Sequence, residues 1–556
     1  MSDESRLGPR LAVALKSRRA RENYLLFVLA VLAFELVLDF RILPPTSLDW
    51  MFEFDSDTTQ YYFASAYFRN SHWHFPIGGM ETTLYPVGAS WTLADAVPLL
   101  GFVVKLLDPV LPVDFQYYGL WLFGCLWLSA IFAKRLFGQL GVAPSLAWAG
   151  TALITLAPPL VARFGHCGLS AHWLLLAAFS LVLEQDALPK RRIAGLAALA
   201  VFLSSYLFAM VNALLLAAFF VHRRNRRELA RGVALWFGSI VLSLWVLGYF
   251  GLRSTEGLLI DKYYGDLFAL FVAADVSTLF PNIQLGGQMG KMRNGTAEGF
   301  AYLGLGGILL FVALLARVAL PWFRRGTERR FHPNAVVLVV PCLLMAFYAF
   351  SPSPFVLGER HSGLAWLTDL IDPIAHRLRA PGRFWWPFFY FVLVFGTQAV
   401  DRFLAAFELP RVRAVTLAAA GLVAIQAADV GPWFYAHGKN VAFTQPPRLP
   451  DLPAAVLARF TKDTRYLILD PPLARSACPG EKPWKGPYYP LAIYGARHRL
   501  IVNTDFRATS RLPWEDHKAV CRYTTNLRDK PLPDRMVRVE PADMKPLRGS
   551  RANMSP

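Results

Sequence analysis

Charged residues are scarce in this sequence. They make up 17% of its 556 residues, whereas soluble domains contain about 25%. Hydrophobic residues make up 55%, and the mean hydropathy is +0.35. This composition excludes a disordered chain and argues against a soluble enzyme. Cysteine is also rare: the five cysteines are too few for a disulfide scaffold, and none is spaced as a zinc-binding pair.

Several nucleotide-binding and hydrolase motifs are absent as well. The sequence has no glycine-rich phosphate loop, no Gly-x-Ser-x-Gly elbow and no His-Glu-x-x-His motif, so a nucleotide-driven cytoplasmic reaction is not expected. The net charge of +18 does not indicate nucleic acid as a partner, because the Lys and Arg residues fall in short clusters between apolar runs. Such clusters are typical of membrane proteins, in which they mark the cytoplasmic ends of the spans. The expected partners are therefore membrane lipids.

Long apolar runs predict a polytopic α-helical membrane protein with about eleven transmembrane helices. A span needs about 20 largely apolar residues, and basic flanks belong on the cytoplasmic side. We therefore predict an integral protein of a bacterial inner membrane, with the N-terminus cytoplasmic and the C-terminus periplasmic. The predicted spans are Tyr24–Leu43, Phe115–Phe137, Ser145–Val161, Leu169–Leu183, Ile193–Val221 (counted twice), Leu229–Phe250, Tyr302–Leu320, Asn334–Phe350, Phe384–Val400 and Val412–Ala428.

For two apolar segments, the number of times that the chain crosses the membrane has to be argued separately. Ile193–Val221 is too long for one ordinary span and is basic on both flanks, so we predict a hairpin that turns near Ser204–Tyr206. One long tilted helix is the alternative. Trp91–Leu107 would reverse the side of every later basic cluster if it crossed. It is predicted to be a helix at the outer interface, with a crossing as the alternative.

The composition divides the chain near residue 430. Residues 1–430 form the predicted membrane domain, whose first external loop is 44–114. Residues 431–556 hold 17 of the 39 prolines and lack long apolar runs. Short β-like runs at 465–470, 498–503 and 536–540 predict a small extracytoplasmic α+β domain with a disordered end. Cys478 and Cys521 are the only cysteines there, and because that compartment is oxidising, we predict a disulfide between them.

The first external loop contains two closely spaced carboxylates, Asp55 and Asp57. They are suited to hold a divalent cation such as Mg²⁺ or Mn²⁺, or to remove a proton from a hydroxyl group as a general base. The alternative is structural: Asp57 can cap a helix over Thr58–Arg69. One residue can also serve both roles. The pattern permits a metal without requiring one.

Further candidate binding residues lie in the predicted external loops. His166 and His172 can bind a phosphate or a metal, or cap helix ends. Arg379 and Arg383 precede a span on its outer side, which is unusual for arginine and suits a lipid-linked phosphate; pairing with Asp369 or Asp372 is the alternative. The full set of predicted substrate-binding residues is Glu81, Tyr85, Arg163, His166, His172, Arg253, Glu298, Arg379 and Arg383.

An ordered set of short motifs resembles the GT-C superfamily of membrane glycosyltransferases, in particular a bacterial branch that uses polyprenyl-phosphate sugars. The resemblance covers roughly residues 20–400, and each motif is short. The motifs are Asp55-Ser-Asp57, Gln60-Tyr61, Phe68-Arg69, Trp73, Phe75-Pro76, Tyr85-Pro86, Asp95-x-x-Pro98, Phe115-Gln116-Tyr117, Lys134-Arg135 and Gly165-His166.

The resemblance implies a GT-C-like fold and transfer of a sugar from a polyprenyl-phosphate donor to a glycan, lipid or protein acceptor at the outer face. It implies that Asp57, replaced or assisted by Asp55, acts as the base, with inversion at the anomeric carbon. Some members use a divalent cation and others do not. A transporter or flippase and a non-catalytic subunit remain alternatives, and the long Ile193–Val221 segment is the feature that best fits a transporter.

Overall fold

The computed structural model of the chain describes residues 4–52, 57–93, 97–184, 188–204, 206–222, 225–251, 265–273, 276–279, 296–319, 332–350, 355–356, 359–360, 380–405, 410–443, 452–472, 478, 489–504, 514–528 and 530–544. For residues 4–18, 57, 93, 251, 296–297, 333, 355, 359–360, 437–443, 489 and 514–515 it describes the backbone alone.

The described residues are mostly helical. The helices are α1 (Glu4–Val37), α2 (Asp57–Asn70), α3 (Pro98–Leu106), α4 (Tyr118–Gln139), α5 (Pro144–Thr155), α6 (Pro158–Val161), α7 (Trp173–Val182), α8 (Lys190–Leu203), α9 (Leu207–Val221), α10 (Arg226–Leu247), α11 (Gly304–Ala319), α12 (Pro333–Phe350), α13 (Trp386–Leu404), α14 (Arg411–Phe443), α15 (Ala454–Leu457), α16 (Tyr489–Arg497) and α17 (Trp514–Arg528). The strands are β1 (Gly79–Met80), β2 (Ala89–Ser90), β3 (Phe355–Val356), β4 (Glu359–Arg360), β5 (Tyr466–Leu469), β6 (Ile501–Val502) and β7 (Met536–Val539).

Every predicted span overlaps a helix, but the helices differ in length. Within the described residues, four are long and apolar enough to cross a membrane: Tyr118–Gln139, Pro144–Val161, Arg226–Leu247 and Arg411–Ala436. Shorter apolar helices are Cys167–Val182, Leu207–Val221, Gly304–Ala319 and Asn334–Phe350. The number of eleven spans stays a prediction. Because α14 runs on to Phe443, the proposed domain boundary at residue 430 lies inside a helix.

The long segment Ile193–Val221 is broken in two, as predicted. Helix α8 ends at Leu203 and α9 begins at Leu207. The Ser204 hydroxyl accepts a hydrogen bond from the Leu207 backbone N–H at 3.1 Å, which satisfies a donor at the start of α9. One continuous tilted helix is therefore wrong. In the described part of the Trp91–Leu107 segment, the longest helix is the nine-residue α3, which follows a 3-10 turn over Trp91–Leu93. That helix is about 14 Å long, less than half the hydrocarbon thickness of a bilayer.

Ion pairs between loops fall into two groups, and each group joins loops that are predicted to lie on the same side of the membrane. At the predicted cytoplasmic end, Glu184 pairs with Arg135 and Arg192, and Glu22 pairs with Lys134. At the predicted outer end, Arg163, Glu298 and Arg383 meet, as described below. No interaction in either group joins a predicted inner segment to a predicted outer one. Which end faces the cytoplasm stays a prediction.

The tail contains a three-stranded sheet at the three places that the sequence predicts. The strand order is β6-β5-β7, and β5 is parallel to both neighbours. Parallel neighbours need a crossover connection, and α16 and α17 supply it. The arrangement is therefore of the α/β type, and the predicted α+β arrangement is wrong in this respect, because the pattern of short strands does not show their direction. The predicted disulfide between Cys478 and Cys521 is confirmed.

The tail packs directly on the first external loop. Helix α16 lies against α2: the Tyr67 hydroxyl donates to the Ala492 carbonyl at 3.0 Å, and the Asn70 amide donates to the Ala496 carbonyl at 2.8 Å. An added Cβ at Gly495 would lie 2.6 Å from the Tyr67 hydroxyl, so only glycine permits this approach. Arg497 adds an ion pair to Asp114. The tail therefore fixes the helix that begins at Asp57.

Candidate functional site

Four of the predicted site residues cannot be placed by their side chains. Asp55, Arg253 and Arg379 lie outside the described residues, and Asp57 is described by its backbone alone. Among the residues that the structure does describe, no group of three or more His, Cys, Asp or Glu is arranged to hold a metal ion. The predicted base and the predicted cation site at Asp55 and Asp57 therefore stay predictions.

The helix that Asp57 begins is buried from its first turn. Helix α2 covers the predicted range and starts at Asp57 itself. The next residues, Thr58 to Tyr61, are all buried. The Thr59 hydroxyl donates to the Met51 carbonyl at 2.6 Å, which holds the turn that precedes the helix. A carboxylate in the first turn of a helix is favoured by the helix dipole.

The first turn of α4 joins this helix to the loop that carries Arg163 and His166. The Tyr118 hydroxyl donates to the Tyr61 carbonyl at 2.9 Å. Three residues further on, in the same turn, the Trp121 indole donates to the Cys167 carbonyl at 2.8 Å. The start of α2 and the Arg163 loop therefore contact the same turn of α4.

Three predicted binding residues from three separate loops meet at the predicted outer end of the bundle. Arg163 follows α6. Glu298 lies on the 3-10 turn Thr296–Gly299, and Arg383 lies on the 3-10 turn Pro381–Trp385, which leads directly into α13. Proline suits the first position of such a turn because its φ is already helical. The sequence predicted each residue as a candidate but did not predict that they pair with one another.

The three side chains form a buried ionic cluster. Arg383 donates to Glu298 Oε2 from Nε at 2.7 Å, and its Nη2 lies 2.7 Å from the same oxygen. Arg163 Nη1 lies 3.4 Å from that oxygen. The side chains are 7% (Arg163 and Arg383) and 15% (Glu298) exposed. Burial alone would raise the pKa of Glu298, but Arg383 and Arg163 hold that pKa well below its ordinary value, and His166 adds to the effect. Glu298 is therefore ionised at neutral pH.

Three glycines explain how the two turns come so close. An added Cβ at Gly299 would lie 2.6 Å from the Gly265 Cα, and one at Gly382 would lie 2.7 Å from the Gly299 Cα. Real Cβ atoms do not approach this closely, so the backbones can cross only without side chains. Because Gly299 follows Glu298 and Gly382 precedes Arg383, the crossing brings the two charged residues together. A glycine beside each charged residue is the sequence signal that could have suggested the pair.

Aromatic side chains surround the cluster. The Arg383 guanidinium lies 4.6 Å from the centre of the Tyr206 ring, at the break between α8 and α9, in the range of a cation–π interaction. His172 is fully buried beside α13. Its Nδ1 lies 2.7 Å from the Tyr390 hydroxyl, and its ring centre lies 4.5 Å from that of Trp386. Neither His166 nor His172 caps a helix with its side chain, so the capping alternative is wrong for both.

Glu81 and Tyr85 are not part of the Arg163–Glu298–Arg383 cluster. Glu81 accepts hydrogen bonds from the His72 backbone and ring. Tyr85 packs on two tail tyrosines, Tyr466 and Tyr523, at ring-centre distances of 5.1 and 5.2 Å. The backbone N–H of Tyr85 also donates to the Val502 carbonyl. These contacts help to hold the first loop and the tail in place, and a substrate-binding role for Glu81 and Tyr85 stays a prediction.

Sequence reasoning missed a second polar group that supports the site. On α14, Asp429 is fully buried and accepts hydrogen bonds from the Tyr302 hydroxyl at 2.8 Å and the Leu305 backbone at 2.9 Å. One turn earlier, Gln426 accepts from the Gly306 backbone at 3.0 Å. These bonds fix the segment between Glu298 and α11. The signal was available: two polar residues three apart on one face of an apolar helix.

The cluster has the chemistry of an anion site. Two guanidinium groups and one carboxylate leave one net positive charge among the three side chains. Arginine presents a planar fork that matches the oxygens of a phosphate. The position immediately before α13 adds the favourable end of a helix dipole for a negative group.

Comparisons with known proteins give one family and several distant structural likenesses, among them two structures from Archaeoglobus fulgidus. No curated protein matches the sequence. The apo oligosaccharyltransferase of Archaeoglobus fulgidus is similar with a TM-score of 0.40 and 13% identity, over 87% of this chain and 64% of that one. The oligosaccharyltransferase AglB of the same organism, in complex with an inhibitory peptide and a dolichol-phosphate, is similar with a TM-score of 0.38 and 14% identity, over 88% and 65%. The chain thus spans slightly less than two thirds of either protein.

One sequence family matches well over half of this chain. The match covers residues 27–431, which include the helices from α1 into α14 and all three residues of the cluster. The chain belongs to the family described as a domain of unknown function, DUF6311.

Proposed function

We propose that the protein is a GT-C-type membrane glycosyltransferase that moves a sugar from a polyprenyl-phosphate donor to a glycan, lipid or protein acceptor at the outer face. One observation carries the proposal. Arg163, Glu298 and Arg383 come from three loops that are each predicted to be external, and they form one buried cluster of two guanidinium groups and one carboxylate. A lipid-linked phosphate at the end of a helix bundle is the ligand that such a cluster suits.

The proposed reaction is a single displacement. The acceptor hydroxyl attacks the anomeric carbon, the bond from that carbon to the phosphate oxygen breaks, and the configuration inverts. The acceptor loses its proton to a carboxylate, which we assign to Asp57 with Asp55 as the alternative. General-base catalysis of this kind contributes about 10²–10⁴-fold.

Arg383 and Arg163 have the second role in this mechanism. As the bond to the sugar breaks, negative charge grows on the departing polyprenyl phosphate. Guanidinium groups that are already fixed by Glu298 and by the glycine crossing need little rearrangement to stabilise that charge. The shared contact with the first turn of α4 supports a site that includes both Asp57 and the cluster.

Release of polyprenyl phosphate by the purified protein tests the proposal. The full chain in lipid nanodiscs is incubated with a panel of radiolabelled polyprenyl-phosphate hexoses and pentoses and with total membrane glycans as acceptors. We expect sugar transfer from at least one donor, and loss of transfer in Arg383→Gln. The control is Arg459→Gln, an exposed tail arginine that pairs with Asp543. Equal turnover in Arg383→Gln and wild type would contradict the role of the cluster.

A transporter or flippase is the second candidate, and the broken α8–α9 segment favours it. Discontinuous helices beside a binding site are typical of transporters, and Tyr206 at this break contacts Arg383. Reconstitution of the full chain into closed vesicles with the same labelled donors separates the two functions. A flippase moves the donor across the vesicle membrane without releasing polyprenyl phosphate, whereas a transferase releases it.

A further inference from the structure

Glu298 is an unusual residue to find in an anion site. Its carboxylate cancels part of the positive charge that would attract a phosphate. Arg383 contacts a single oxygen, Oε2, with two nitrogens at 2.7 Å, and Arg163 lies 3.4 Å from that same oxygen. The carboxylate is therefore held at the centre of the cluster, between the two cations.

Glu298 cannot move far away when an anion binds. The next residue, Gly299, touches Gly265 and Gly382 through their backbones, and an added Cβ at Gly299 or Gly382 would lie 2.6 or 2.7 Å from a Cα atom. The Trp386 indole also donates to the Phe300 carbonyl at 3.2 Å. These contacts join the backbone of Glu298 to that of Arg383. The Glu298 carboxylate and the Arg383 guanidinium therefore stay together in the loaded site.

We infer that Glu298 selects the charge of the donor: the site accepts a lipid linked to its sugar through one phosphate and disfavours a lipid linked through a diphosphate. The inference rests on the proposed function. A phosphate diester carries a single negative charge, which the guanidinium groups of Arg383 and Arg163 can bind beside the carboxylate. A diphosphate diester carries two, and the second is repelled by the carboxylate. A charge about 10 Å away, at an effective dielectric constant of about 20, changes affinity by roughly tenfold or more.

Two matched probes allow a direct test without knowledge of the sugar. Farnesyl methyl phosphate and farnesyl methyl diphosphate have the same lipid and the same cap, and they differ by one phosphate and one charge. The measurement is the ratio of their dissociation constants for the full chain in nanodiscs. In Glu298→Gln, we expect this ratio to shift toward the diphosphate by roughly tenfold. In Arg163→Gln, which keeps the Arg383–Glu298 pair, we expect a shift toward the monophosphate.

Asp543→Asn is the matched control, because it removes an acid of the tail that pairs with Arg459, and its ratio should equal that of wild type. A ratio in Glu298→Gln equal to wild type would overturn the inference. If that variant does not fold, Arg163→Gln decides: equal weakening of both probes overturns the inference, and a selective loss of the diphosphate supports it. Wild-type protein that binds neither probe refutes the proposed donor site and the inference together. Wild-type protein that binds both, with a ratio that no variant changes, refutes the inference alone.

Discussion

Replacing Gly299 by alanine places a methyl group where three backbone segments cross. The new Cβ would lie 2.6 Å from the Gly265 Cα and 3.3 Å from the Gly382 Cα. Both neighbours are backbone atoms, so no flexible side chain can move aside. Overpacking of this kind costs about 1–3 kcal/mol of the free energy of unfolding. It also pushes Glu298 away from Arg383, so that the affinity for a lipid phosphate should fall as well.

The measurement is thermal unfolding of the purified chain together with binding of farnesyl methyl phosphate. Gly238→Ala is the control, because this glycine lies inside α10 and has nothing within 4 Å of an added Cβ. There, alanine should leave binding unchanged and stabilise the helix by about 0.5–1 kcal/mol. The two substitutions add the same atom and should change stability in opposite directions. If Gly299→Ala unfolds and binds like wild type, the crossing does not position the cluster.

Three further predictions concern the first loop, the tail and the topology. If Asp57 is the base, Asp57→Asn should lower turnover by at least 10²-fold with stability near wild type, and the same measurement on Asp55→Asn shows which acid has this role. If Asp57 only caps the helix, Asp57→Ala should cost about 1 kcal/mol of stability and Asp57→Asn should stay active. Joint replacement of Cys478 and Cys521 by serine should destabilise the tail by about 2–5 kcal/mol and make it sensitive to protease; identical protease resistance would refute this. Arg325→Cys should react with an impermeant thiol reagent only after lysis, and labelling in intact cells would reverse the orientation.

Local patterns predicted much of the fold because they depend on neighbouring residues. Alternating apolar residues placed β5, β6 and β7, and a run too long for one span placed the break after Leu203. Basic clusters divided the loops into two groups, and the ion pairs described above join loops of the same group; the side of the membrane that each group faces stays a prediction. The direction of the tail strands and the docking of α16 on α2 could not be predicted in this way, because they depend on packing between segments about four hundred residues apart.

The candidate site shows the same division. Arg163, Glu298 and Arg383 could each be chosen by residue type and position. Their pairing could not, because it depends on the close approach of Gly299 and Gly382, which no local spacing reveals. Glu81 and Tyr85 could likewise be chosen by residue type, but their contacts with His72 and with two tail tyrosines could not be predicted from it.

The central claim is that the buried arginines hold the phosphate of the donor, and donor affinity in Arg383→Lys tests it most directly. Lysine keeps the charge but loses the planar fork that contacts two oxygens, and loss of one hydrogen bond between charged groups costs about 1.5–3 kcal/mol. We expect the affinity of the folded full chain for a polyprenyl-phosphate sugar to fall at least about tenfold, with Arg459→Lys unchanged as the control. Wild-type affinity in both Arg383→Lys and Arg163→Gln would contradict the account.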